Sequence, residues 1–129
     1  MSPSESFARR VFFGAGLYGL MALLPMYALE AHIGRAFPPA LNHPENYYGF
    51  IAVALAWQLA FIGISRDVVR FRPLMLPAIA AKFGFVLTIL VLCLQGRVAV
   101  AAAVPVTADL LIGLLFFIAW RRTPKDAWA

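Results

Sequence analysis

The chain has 129 residues, of which 63% are hydrophobic and only 13% charged, with a formal net charge of +5. An ordinary soluble domain is about 45–50% apolar and about 25% charged, so a compact water-soluble domain of this length has too little interior to hide this much apolar surface. One cysteine, Cys93, excludes an internal disulfide and a thiol metal site; it falls in an apolar run and reads as a buried, inert thiol.

The first long apolar run follows Arg9–Arg10 and covers about 11–30. It is longer than a signal-peptide core and is not followed by a clean small-x-small cleavage site, so a membrane span is preferred over a secretory signal. Within it, GAGLYG (14–19) matches a dinucleotide fingerprint, but no strand precedes it and the βαβ context is missing. Ala15 and Gly19 instead form a small-xxx-small pair that lets another helix approach, and Ala52, Ala56 and Ala60 form a similar ridge on the next span.

Residues 28–49, ALEAHIGRAFPPALNHPENYYG, hold both histidines with Glu30 and Glu45. That set suits acid–base chemistry or a metal. The spacings are poor for it, since Glu30 and His32 are i, i+2 and Pro44 extends His43–Glu45. The stretch therefore reads first as a solvated loop, with FPPAL able to fold over the helices as a lid and Asn42 or Asn46 able to cap the second helix.

The remaining spans are about 47–65, 74–94 and 98–120, each near the ~20 residues a transmembrane helix needs. Pro25, Pro77 and Pro105 are expected to kink their spans rather than end them. Tyr47, Tyr48, Trp120 and Trp128 fit interfacial aromatic belts. The link SRDVVRFRP between the second and third spans is basic and aromatic. Flanked by spans, it suits anionic lipid headgroups better than nucleic acid, with Asp67 able to pair with Arg66 or Arg70. Arg9, Arg10, Arg66, Arg70, Arg72, Arg121, Arg122 and Lys125 fall on one side of four spans; only Arg35 and Arg97 fall on the other. The positive-inside rule then places both termini in the cytoplasm of a cell inner membrane.

Lys82 and Asp109 lie within spans, where an uncompensated charge costs at least ~2.5–3.5 kcal/mol. The short link LQGRV, with Gly96 as the C-terminal cap of the third span, makes a tight hairpin. A hairpin centred there sets Lys82 opposite position 110, within one residue of Asp109, a ~1.5 Å offset. The same construction at the preceding link sets Lys82 opposite Trp57, beside Gln58, with Tyr18 at a similar height. Gln58, Lys82, Asp109, Trp57 and Tyr18 are thus the candidate ligand-binding residues, with a register-fixing ion pair as the plainer alternative and a proton relay as a third. Glu30, His32, His43 and Glu45 are the candidate catalytic residues. No Walker loop, HExxH or nucleophile elbow occurs, and no cofactor or metal is implied.

At NHPENYYGF, AWQ, ISRD and RFRPLMLPA the chain resembles a group of small bacterial four-span membrane proteins without an assigned activity, a likeness that spans nearly the whole chain and implies topology. The general plan is also similar to DoxX-like proteins and to EXPERA bundles. The EXPERA likeness implies a lipid-like ligand with Glu30, His32 or Asp109 as polar contacts. Small multidrug exporters match poorly: their acid in mid-first-span has no counterpart here, and the charge bias argues against dual topology.

The expectation is one integral membrane domain, 1–129, all-α, built as a four-helix transmembrane bundle. Its leading function is to hold a lipid or hydrophobic small molecule, or to support a membrane partner or a second copy, without catalysis. The alternatives are a membrane enzyme acting on a lipid or isoprenoid by acid–base chemistry, and a small proton-coupled transporter.

Overall fold

The computed structural model describes residues 2–36 and 42–125. Five α-helices appear in chain order: α1 (Pro3–Leu23), α2 (Glu30–Ala36), α3 (Pro44–Arg66), α4 (Met75–Leu94) and α5 (Val106–Arg122). No strand occurs among the described residues. Counting the 3-10 turns next to α1, α4 and α5, four segments among the described residues are long and apolar enough to cross a membrane: Pro3–Ala28, Pro44–Arg66, Arg72–Leu94 and Val100–Arg122.

The first span begins eight residues before the expected boundary. Ser2 caps α1 by accepting a hydrogen bond from the Glu5 amide at 3.2 Å, and Pro3 occupies the first turn, where its missing N–H costs nothing. Arg9 and Arg10 are therefore on a helix, not in a tail. The prolines also act differently from the kink expectation. Pro25 lies where α1 gives way to the 3-10 turn Leu24–Ala28, and Pro105 is the N-cap of α5 behind the 3-10 turn Val100–Ala103. Pro77 sits in the first turn of α4, where proline is tolerated. Two of the three thus interrupt the α-helix, because proline donates no backbone hydrogen bond.

The stretch expected as a loop contains α2. Pro44 opens α3 instead of extending the chain, and the N-cap of α3 is His43, whose side chain makes no capping hydrogen bond, rather than Asn42 or Asn46. The FPPAL lid and Trp128 lie outside the described residues.

Packing order follows from contacts between the helices. α1 packs most extensively on α3 and also on α5; α4 packs on α5; α3 and α4 approach closely at only a few positions. Gly96, at φ +70°, turns the chain from α4 into the last span. The Gly96 amide donates to Cys93 O at 3.0 Å and the Arg97 amide to Leu92 O at 2.9 Å, the Schellman pattern that satisfies the last carbonyls of a helix. Cys93, half-buried rather than fully buried, lies beside this turn with Sγ 3.7 Å from Ala99 O.

The core occupies the half of the molecule nearest the arginine-rich end. Phe12, Phe61 and Phe116 are at most 1% exposed and join α1, α3 and α5. Phe12 stacks on Phe116 with centroids 4.2 Å apart, and Phe61 meets Phe116 edge-on at 4.9 Å. Such pairs are worth about 0.5–1.5 kcal/mol beyond area burial. Arg72 ties the same end together. Its Nε donates to Trp120 O at 3.1 Å and Thr123 O at 3.0 Å, and its guanidinium lies 4.8 Å from the Trp120 ring centroid.

The α1–α3 interface uses small residues, though not those expected on α3. Ala52 and Ala56 are exposed and Ala60 is half-buried. Gly16 packs on Ile62 and the Gln58 carbonyl, and Gly19 packs on the Gln58 side chain. The face of α3 that meets α1 runs through 58, 62 and 65, because the aromatic contacts of Phe61 to Phe12 and Phe116 set the rotation of the helix.

Candidate functional site: a Lys–Asp ion pair beside the seam of two helices

Lys82 is eight residues into α4 and Asp109 four residues into α5. The α4–α5 hairpin brings them together, and Lys82 Nζ donates to Asp109 Oδ1 at 2.8 Å. Local sequence favours both positions. Pro105 starts α5 inside the span, so Asp109 falls in the first turn, where the partial positive charge of the helix N-terminus stabilises a carboxylate. Gly113, one turn further, lets α4 come close: a Cβ there would lie 3.2 Å from Lys82 Cβ and 3.3 Å from the Phe83 ring.

The lysine also reaches α3. Its Nζ lies 5.7 Å from the Phe61 ring centroid, close enough for a cation–π attraction in an apolar setting. Trp57 stands beside that ring, with centroids 6.0 Å apart. Toward the other end of the same helix pair, Phe50 and Phe85 stack at 5.9 Å and are 45% and 36% exposed. Long side chains rather than close backbones therefore bridge α3 and α4.

The pair is not sealed. The Lys82 and Asp109 side chains keep 13% and 23% of their surface exposed. An ammonium has three donors and a carboxylate several acceptor positions. Among the described residues one donor and one oxygen are used, by each other.

The remaining candidates divide. Gln58 is 5% exposed, but its carboxamide is turned toward α1: Nε2 donates to Ala54 O at 2.9 Å, and Oε1 is buried without a conventional donor among the described residues. No hydrogen bond joins it to Lys82 or Asp109. Its position against Gly19 gives Oε1 a Cα–H contact, the weak interaction typical of close helix pairs. Tyr18 is 49% exposed on α1 and makes no hydrogen bond or ring contact among the described residues.

Three of the four outer ionisable groups take part in two separate contacts. Tyr48 donates to Glu30 Oε2 at 3.1 Å, and His43 Nδ1 lies 3.2 Å from Glu45 Oε1 with both side chains about two-thirds exposed. His32 is exposed on α2 and makes no hydrogen bond among the described residues. No group of three or more potential ligands able to hold a metal occurs among the described residues. Around Glu30 the neighbours are aromatic: Tyr27 stacks on Tyr48 at 5.8 Å, and Tyr47 donates to Met26 O at 2.6 Å. Asp67 does not form the expected arginine pair; its Oδ1 accepts the Arg70 backbone N–H at 3.2 Å.

Phe61 and Gly113 were not singled out by their sequence positions, whereas Gly19 was, as part of its small-xxx-small pair, and it does meet α3. Gly113 had a usable signal, being one turn from Asp109 and therefore on the face that meets Lys82. Phe61 had none, since its role depends on the rotation of α3. Comparison with protein-family models, curated proteins and solved structures finds no match to the chain.

Proposed function

We propose that the chain is an integral inner-membrane protein with both termini in the cytoplasm that holds a lipid or hydrophobic small molecule along the seam between α3 and α4, with Lys82 and Asp109 as its polar contacts. The observation that carries this reading is the residual exposure of an ion pair at mid-span. Pairing cancels the net charge, but exposed polar surface at that depth still meets hydrocarbon unless another polar group covers it. A carbonyl, hydroxyl or headgroup oxygen in the seam accepts from Lys82, and a hydroxyl donates to Asp109. The apolar remainder lies against Trp57, Phe50 and Phe85, a mostly apolar lining with a few convergent polar groups.

A diazirine-bearing phospholipid in proteoliposomes tests the proposal, with adducts mapped by mass spectrometry. The expected result is adducts concentrated on the segments containing Phe50, Trp57 and Phe85, and depleted in the Lys82→Leu/Asp109→Leu double variant. Adducts spread as densely over Met21 and Leu94, exposed residues away from the seam, reject it.

A further inference from the structure

The arginine-rich end carries a second feature that the intramembrane pair does not explain. Between the start of α1 and the end of α3 lies an open-mouthed cavity of about 320 Å³ lined by Ser6, Arg9, Arg10, Phe13 and Ser65. Arg9 Nε donates to Ser65 O at 3.0 Å, which fixes one guanidinium in the cavity wall and anchors it to the last turn of α3. Ser65 is 4% exposed and its hydroxyl is turned back to Ile62 O, so that wall is rigid. Arg10 is exposed and makes no hydrogen bond or ion pair among the described residues.

Among the described residues the charge around the cavity is predominantly basic. Arg66, Arg121, Arg122 and Lys125 share this end, while the acidic groups among the described residues there are Glu5, one turn before Arg9, and Asp67, turned to the Arg70 amide. Polarity also changes sharply along α1. Phe13, three residues beyond Arg10, is 48% exposed, and Leu17, Met21 and Leu24 continue the same stripe at 42%, 77% and 55%. The stripe has cations at its end and about three turns of exposed apolar surface beyond them.

We infer that this cavity is a site for the phosphate of an anionic glycerophospholipid, with Arg10, Ser6 and the anchored Arg9 taking the headgroup and Phe13–Leu17–Met21 taking an acyl chain. Guanidinium groups bind phosphate oxygens through paired hydrogen bonds, and two arginines with a hydroxyl match a phosphodiester at the membrane surface. The site is separate from the α3–α4 seam and depends only on the membrane reading.

Native mass spectrometry of the full chain from detergent decides the matter, titrating phosphatidylglycerol, phosphatidylcholine and inorganic phosphate separately. Phosphatidylglycerol is expected to be retained in preference to phosphatidylcholine. Arg10→Gln is expected to weaken it about tenfold, the effect of removing one charge-assisted hydrogen bond. Ser6→Ala is expected to weaken it less, and Arg121→Gln, away from the cavity, to leave it unchanged. Three results overturn the inference. Equal weakening by Arg121→Gln means diffuse charge attraction; unaltered binding in both Arg10→Gln and Ser6→Ala means another site; saturation by inorganic phosphate at the same affinity means a soluble phosphate ligand.

Discussion

The carboxamide of Gln58 occupies the space that a side chain on Gly19 would require. A hydrogen in place of a methyl group at residue 19 thus lets α1 and α3 close on each other with a polar group between them. Any Cβ there collides with a side chain that is itself held by Ala54 O.

Gly19→Ala is therefore expected to lower stability by about 1–3 kcal/mol, the usual cost of overpacking, even though alanine is the better helix former. Gln58→Ala in the same chain should recover most of the loss, because it removes the colliding atoms. Thermal unfolding in detergent followed by tryptophan fluorescence reads both. An unchanged midpoint for Gly19→Ala means that the helices do not approach this closely.

Lys82 and Asp109 give a different pattern. Removing one partner leaves an uncompensated charge in apolar surroundings, so Lys82→Ala or Asp109→Ala alone should cost about 2–4 kcal/mol. The double variant should be more stable than either single one, because no orphaned charge remains. Strict additivity of the two losses would show that the contact at 2.8 Å carries no coupling.

Arg72 is expected to resist conservative replacement. Lysine keeps the charge but loses the planar group that bonds Trp120 O and Thr123 O and lies over the indole. Arg72→Lys should loosen the last turn of α5, seen as faster amide hydrogen exchange at 119–123, with a stability loss of about 1–2 kcal/mol. Exchange there that matches the parent protein would assign the bonds no role.

Topology is open to direct labelling. In a Cys93→Ser background, a cysteine at position 97 should react with an impermeant maleimide in intact spheroplasts. One at position 4 should react only after permeabilisation. The reverse pattern inverts the orientation that the arginine distribution implies.

Much of the architecture was legible before any coordinates. Apolar runs near 20 residues can satisfy their backbone in lipid only as helices, and four such helices are present. The short link around Gly96 left little freedom in the α4–α5 register, which is why Lys82 could be matched to Asp109 by counting residues. The early start of α1 was also readable: Ser2 and Glu5 form the spacing of a capping box ahead of an apolar run, and the Glu5 amide bonds the serine.

What composition and spacing determined by themselves are the properties that depend on local chain: the number of apolar spans, the side on which the arginines gather, and the pairing across one tight turn. What only the tertiary structure decided is helix rotation. An apolar helix in lipid has weak amphipathic contrast, so its sequence does not say which face turns inward; the fit of side chains against neighbours does. That fit turned Gln58 toward Gly19 instead of Lys82, left Ala52 and Ala56 on the outside, and set Phe61 beneath the lysine.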